Sequence, residues 1–523
     1  MDTPLCAATR VNPWPERAVV YGLLLLVTLL VALPALRDSL SWRVPESAAG
    51  PLHAGFQIAH FGAVPYQDIF EPSAAGALLG YAWLGGKLGF DVAGVRAVEL
   101  ALLLALLLVS VAVLWRFGLR AVWAACLLFT LAWLRDAPLF TLAPEMPGLI
   151  AVAAGVGAAV SLPFLGVAWR VWLCGVAFGV AALCSLPLGL GLLAVIHYLA
   201  ASDKSAGANG LVTAALAALG FALPLLALAG YLVHAGAQAG FADYLFGFLP
   251  QYARMTDDFV VLPAGLHLRY LLKEALALDE RWVLLAAGGM GLAMCLGRGK
   301  DGEGSASLAG LLSLLALIFA LSPALAGKFS PHEYLPMTYV LCLGGGLLFG
   351  DFGAASWQER WVPRVFTVLL CASLFAPHHG ATPLQHPQGP AAQASMAAQV
   401  SGYLRDNLRP GDRVQALDRS GGVATGMVSA QAQSATPYTR LDLLGPRGDS
   451  AFAKRHRERL LALLVSSPPR FVVHDKTTKD VIELAGQFPA LDVWIRQHYE
   501  PRLVNKQVAI YERKPAAESG VTP

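Results

Sequence analysis

The polar stretch from Asp38 to Ser73 gathers Asp38, Arg43, Glu46, His53, His60, Asp68 and Glu71. A shorter set follows in Arg135, Asp136 and Glu145, the last within Glu145-Met146-Pro147. A carboxylate accepts a proton from an attacking hydroxyl. Arginine, lysine or a bound metal ion stabilises phosphate oxygens as they gain negative charge. Two acidic loops that also carry cations therefore fit acid–base chemistry beside an anionic group. The plainer readings are a solvated connector for the first loop and, for Glu145, an acid complementing the positive end of the helix it opens. His53 and His60, seven residues apart, share one helix face and suit either a metal pair or a surface helix. Further cations are Arg254, Arg269 and Lys273 within 234–280, and Lys328 and His332 in Gly327-Lys-Phe-Ser-Pro-His-Glu-Tyr-Leu-Pro336.

The elements that must hold these loops are membrane helices. Of 523 residues, 56% are hydrophobic and 14% charged, against about 25% charged in soluble domains. Apolar runs are expected at 18–36, 92–114, 119–134, 148–168, 171–184, 186–200, 211–233, 281–297, 307–326, 333–350 and 362–376, roughly eleven spans of about 20 residues. The Ala- and Gly-rich run 74–89 reads as a helix lying along the membrane surface. With the N-terminus inside, Arg116, Arg120, Arg170, Lys204, Arg298, Lys300, Arg360 and Arg364 all fall on inner connectors, as the positive-inside rule requires. Both acidic loops, 37–91 and 135–147, then face outward, as does the tail from Pro377. The run after Arg17 is too long for a signal-peptide core and lacks a small-x-small cleavage site, so it reads as a retained helix. A net charge of +3 is too small to indicate nucleic acid. The seven cysteines show no metal-ligand spacing.

The tail is a different material. Residues 377–398 read as a linker and 399–523 as an extracytoplasmic α/β domain, after a membrane domain of 1–376. Strand signals at 413–417, 470–474 and 507–511 alternate with helical patterns at 396–408, 451–465 and 478–487. No Gly-rich phosphate fingerprint occurs there, and the interface aromatics Tyr244, Phe246, Phe248, Tyr252 and Tyr270 read as membrane anchors or as the lining of an isoprenoid groove.

Three phrases carry a resemblance. Val64-Pro-Tyr-Gln-Asp-Ile-Phe-Glu-Pro72, Glu145-Met146-Pro147 and the Lys328–Pro336 phrase resemble motifs of bacterial GT-C type glycosyltransferases. These are the polytopic enzymes related to protein O-mannosyltransferases and lipid A aminoarabinose transferases. The resemblance implies an α-helical polytopic membrane protein of about eleven transmembrane helices with a C-terminal extracytoplasmic α/β domain. It implies sugar transfer from a polyprenyl-phosphate donor to an extracytoplasmic glycan, lipid or protein acceptor, with inversion, in a bacterial inner membrane. Glu46, Glu145 and Asp68 would be the catalytic acids, with Asp38 a rival to Glu46. Arg43, Arg135, Lys328 and His332 would hold the donor phosphate, and Glu71 with His53 a divalent metal ion. The chain departs from the family at Pro45, where an Asp is usual, at Glu145, where relatives carry Asp, and at Ser73, where they carry Lys. The rival reading is a polytopic lipid-carrier transporter or a relative without catalysis. A transporter is expected to keep its charges at mid-membrane, whereas here they cluster in outer loops.

Overall fold

The computed structural model describes residues 14–40, 42, 44–162, 164–202, 210–252, 265–266, 268–270, 273, 281–296, 303–326, 331–350, 361, 364–365, 391–418, 420–440, 451–476 and 488–515. The expected span 362–376, the helical pattern at 478–487, Arg43, Arg254 and Lys328 lie wholly or mostly outside these residues.

Helix α1 (Trp14–Val27) passes through a π-turn (Thr28–Ala32) into α2 (Leu33–Ser39) without leaving the helical path. The π-turn precedes Pro34, whose ring removes one N–H and crowds the preceding turn. Then come α3 (Glu46–Phe61), α4 (Ala75–Leu88), α5 (Val92–Leu114), α6 (Leu119–Phe140), α7 (Glu145–Ser161), α8 (Val167–Cys184), α9 (Gly191–Ser202) and α10 (Gly210–His234). The short α11 (Gln238–Ala242) and α12 (Leu249–Tyr252) flank a second π-turn, and α13 (Arg281–Leu296), α14 (Glu303–Ala320), α15 (Ser322–Ala326) and α16 (Leu335–Leu347) complete this part. Among the described residues, five stretches are long and apolar enough to cross a membrane: Ala18–Ser39, Val92–Phe117, Val167–Cys184, Leu211–His234 and Ala306–Ala324. Helix α4, with 14 residues, rises about 21 Å, short of the ~30 Å hydrocarbon layer.

Helix α16 is buried along its whole length, as expected of a helix apolar on every face. Small residues admit its neighbours: a Cβ on Gly291 of α13 would meet the Gly344 carbonyl oxygen at 2.0 Å, and one on Gly346 would meet that of Ala121 in α6 at 2.7 Å. Close backbone approach through glycines is the usual means of packing helices in lipid.

The second outer loop is shorter than the sequence pattern implies. Helix α6 continues through Arg135 to Phe140, and α7 starts at Glu145, so 141–144 alone forms the turn. Likewise α7 runs from Glu145 to Ser161, earlier at both ends than the expected span 148–168, while α8 begins at Val167 and ends at Cys184, where the expected span 171–184 ends.

The C-terminal part is a five-stranded sheet in the order β2-β1-β3-β5-β4, from β1 (Arg413–Leu417), β2 (Gln433–Ser434), β3 (Phe471–Asp475), β4 (Tyr499–Val504) and β5 (Val508–Arg513). β1 pairs in parallel with β2 and β3, and β5 runs antiparallel to β3 and β4. One face is covered by α17 (Ala391–Asn407) and α18 (Gly422–Ser429), with Met396, Val400, Val423 and Met427 packed on Val414, Phe471 and Ile510. The other carries α19 (Ala451–Ser466) and α20 (Pro489–His498), with Leu460, Leu464, Leu491 and Ile495 around Val472. Successive β3 residues thus serve opposite cores, as the two-residue period of a strand demands.

Candidate active site

Helix α5 sets the frame. Its start is fixed by Asp91, whose carboxylate accepts from the Gly94 N–H at 2.9 Å. One turn further in, Arg96 is 1% exposed. Its Nε donates to the Trp42 carbonyl at 3.1 Å, and its guanidinium donates to Thr141 Oγ1 at 3.1 Å and to the Glu99 carboxylate. Trp42 lies four residues before Glu46 and Thr141 four before Glu145. A single guanidinium therefore ties the approach to α3 to the approach to α7. The two acidic loops, separated by a hundred residues of chain, meet at this group.

The 141–144 turn is itself constrained. Leu142 adopts φ +51, a left-handed conformation uncommon for a side chain of this kind, and it is buried. The Thr141 side chain and the Leu142 N–H face the Glu99 carboxylate, and the Tyr81 hydroxyl donates to the Ala143 carbonyl. Strain of this sort persists where surrounding contacts enforce it.

Glu145 emerges from this turn as the first residue of α7 and is buried. Its Oε1 accepts from Ser185 Oγ at 3.3 Å, while its Oε2 has no hydrogen-bond partner among the described residues. His332, on the 3-10 turn Pro331–Tyr334, lies near enough to act electrostatically on this carboxylate, as the carboxylate acts on Tyr81 and Cys184. An acid with an available lone pair, beside an imidazole and two hydroxyls, is equipped to take up a proton.

In the first loop Glu46 is the first residue of α3, and its side chain lies outside the described residues. Glu71 is buried against the same helix: a Cβ on Gly50, one turn beyond Glu46, would stand 2.6 Å from a Glu71 carboxylate oxygen. The 64–72 phrase folds as a tight turn in which Tyr66 takes φ +67, its hydroxyl accepts from Ala75 N–H at 2.9 Å, and its ring packs on Phe241 and Tyr244. Asp68 is exposed, with its carboxylate engaged by the Val64 N–H at 2.9 Å. It closes the turn. Asp38 is half-buried in the last turn of α2, and Arg135 is half-buried in α6.

His53 is buried and meets Ser434 Oγ at 3.0 Å and Gln57 Nε2 at 3.4 Å, so it faces the C-terminal domain. His60, one turn beyond Phe56 with its ring tilted against that of Phe56, is exposed. The two histidines do not form a pair, and among the described residues no three His, Cys, Asp or Glu side chains converge where they could hold a metal ion.

Burial pushes the His53 imidazole down from 6.5 to about 4, so it is neutral near pH 7. Undocking the C-terminal domain would return it to its ordinary value. Because the docked form binds fewer protons, docking is at full strength above pH 6.5 and weakens as pH falls toward 4. The lost stability reaches about 3 kcal/mol. Limited proteolysis between α3 and the C-terminal domain should therefore accelerate from pH 7 to pH 4.5, and His53→Gln should flatten that profile. A wild-type rate independent of pH would contradict this.

Arg96, Glu99, Tyr81 and Ser185 are absent from the sequence-based site. The signal for two of them was present: an Arg and a Glu three residues apart inside an apolar span are costly in lipid and seldom idle.

No family model matches the chain, and no curated protein matches its sequence. Solved structures match its fold. ArnT from Cupriavidus metallidurans, bound to undecaprenyl phosphate, aligns with a TM-score of 0.57 over 97% of this chain and 99% of its own, at 13% identity. The archaeal oligosaccharyltransferase AglB from Archaeoglobus fulgidus, in complex with an inhibitory peptide and a dolichol-phosphate, aligns with a TM-score of 0.47 over 96% and 75%, at 12% identity. An oligosaccharyltransferase of the same organism in complex with Zn and sulfate gives 0.42 over 95% and 73%, at 13% identity. The first match runs through nearly the whole of both chains, membrane part and C-terminal sheet together, and the chain has the GT-C glycosyltransferase fold.

Proposed function

We propose that the protein transfers a sugar from a polyprenyl-phosphate carrier to an acceptor hydroxyl on the outer face of the bacterial inner membrane, with inversion at the anomeric carbon. The observation that carries this reading is the Arg96 guanidinium, which brings the two acid-bearing loops together at the start of α5. The likeness in fold to a protein bound to undecaprenyl phosphate supports the donor class.

In this mechanism the acceptor O–H gives its proton to a carboxylate as its oxygen bonds to the anomeric carbon. The bond from that carbon to the phosphate oxygen breaks on the opposite face, and its electron pair leaves with the lipid phosphate. Glu145, the acid at the head of α7 with one oxygen that has no hydrogen-bond partner among the described residues, is the proposed proton acceptor. Glu46 is the proposed partner acid from the first loop. Arg43, Arg135, Lys328 and His332 are the proposed cations on the departing phosphate, where each positive charge counts for more than it would in water. Glu71 and His53 do not assemble with a third ligand among the described residues, so no step is assigned to a metal ion. Asp68, held at the surface by its own turn, is left without a catalytic part. The transport alternative finds no support in α5, whose Arg96 and Glu99 sit near the end of the helix and bind loops rather than lining a mid-membrane path.

The test uses the purified full chain in detergent with a radiolabelled undecaprenyl-phosphate sugar and an envelope fraction as acceptor. Label should pass to the acceptor with one free undecaprenyl phosphate released per sugar moved. No transfer above a heat-inactivated control would overturn the proposal.

A further inference from the structure

The C-terminal domain does not merely sit above the membrane helices. β2 is an edge strand of its sheet, and an edge leaves one row of backbone donors and acceptors unpaired. Here that edge is met by a side chain of α3. Gln57 donates from Nε2 to the Ala432 carbonyl at 2.9 Å and accepts at Oε1 from the Ser434 N–H at 3.1 Å. Its amide thus bonds the edge as a neighbouring strand residue would, and it is buried in doing so. His53, one turn earlier, adds its contact to Ser434 Oγ.

The same tail segment then grips the 64–72 phrase. The Phe70 N–H donates to the Pro437 carbonyl at 3.0 Å, and the Phe70 ring packs on Tyr438, His456, Phe452 and Phe248. A second polar contact closes the junction: Tyr438 Oη and His456 Nδ1 are 2.7 Å apart, His456 Nε2 lies 2.8 Å from Asp243 Oδ2, and Arg455 pairs with the same aspartate. Both first-loop elements that carry acids, α3 with Glu46 at its head and the segment ending at Glu71, are therefore fastened to residues 432–438.

We infer that residues 432–438 of the C-terminal domain are a working part of the transfer site, with Gln57 as the positioning residue that sets α3, and with it Glu46, against Glu71. The inference rests on the proposed sugar transfer for its kinetic readout and on geometry for the rest. The Gln57 amide is engaged by the Ala432 and Ser434 backbone. It acts by fixing the angle of the helix whose first residue is the proposed partner acid, and a small misplacement of a reacting group costs rate far more than affinity.

The experiment measures transfer and amide hydrogen exchange on the full chain carrying Gln57→Leu. Gln57→Asn, which keeps the amide but is one methylene too short to span both bonds, serves should the leucine variant fail to fold. The expected result is at least a tenfold fall in kcat with donor KM within twofold of wild type, and at least tenfold faster exchange across residues 46–61. Arg502→Ala on β4, at the opposite edge of the sheet, removes an ion pair with Glu512 and should keep both readouts near wild type. Transfer by wild type with unchanged kcat in both Gln57 variants overturns the positioning role, as does a fall confined to KM. Absence of transfer in wild type overturns the functional reading instead, and exchange across 46–61 that is indifferent to Gln57 then overturns the clamp as well.

Discussion

Glu145→Gln should lower kcat for sugar transfer by about two to four orders of magnitude, the usual contribution of a positioned proton acceptor, while donor KM stays within a few-fold. The substitution keeps size and shape, and the amide can still accept from Ser185 Oγ as Oε1 now does. What it removes is basicity at an atom without a hydrogen-bond partner among the described residues. Glu145→Asp should retain part of the activity, because a carboxylate remains on the same helix end but is withdrawn by one methylene. The control is Glu46→Gln. If Glu145→Gln is nearly silent and Glu46→Gln is not, the first-loop acid is the base and Glu145 orients the acceptor. Full activity in both variants would leave the two carboxylates without a catalytic role. Single-turnover measurements with radiolabelled donor separate the chemical step from product release, so a loss in kcat can be assigned to the proton transfer itself.

Much of the fold was legible because lipid imposes a blunt rule. A helix must present about 20 apolar residues to cross, and the runs at 92–114 and 211–233 match α5 and α10 almost to the residue. Helix ends near the outer face were less legible. Arg135 and Asp136 look like loop residues by composition, yet the α6 backbone continues through them to Phe140, more than a turn beyond the apolar run. In the tail, β1, β3 and β5 have apolar cores and were apparent, whereas β2 has two residues and is partly exposed, and β4 begins Tyr-Glu-Pro-Arg. Neither carries an alternating pattern, so pairing with neighbours defines them. In the proposed site, Glu145 drew notice through the Met-Pro that follows it, and it is a buried acid at the head of α7. The turn-closing contact of Asp68 with the Val64 N–H was not legible, since a motif acid and a turn-closing acid share the same letters. His53 was misread for the opposite reason: its partner Ser434 lies 381 residues away, beyond any local pattern.

Arg96→Met should destabilise the protein by about 3–5 kcal/mol, the usual consequence of leaving one member of a buried ion pair without the other. Glu99 is nearly as buried as Arg96, and methionine fills much of the arginine stem without supplying a donor. Arg96→Met combined with Glu99→Leu should recover most of that loss, because replacing a whole buried pair by apolar groups of similar volume is often neutral or better. Stability and activity then part company. The double variant still lacks the one group that donates both to the Trp42 carbonyl and to Thr141 Oγ1. The approaches to α3 and α7 lose their common anchor, and the strained turn at Leu142 loses the carboxylate that its N–H faces. Thermal unfolding of the double variant should therefore return close to wild type while kcat remains at least a hundredfold down. Were transfer to recover together with stability, Arg96 would be an ordinary structural ion pair, and the meeting of the two loops would depend on packing alone.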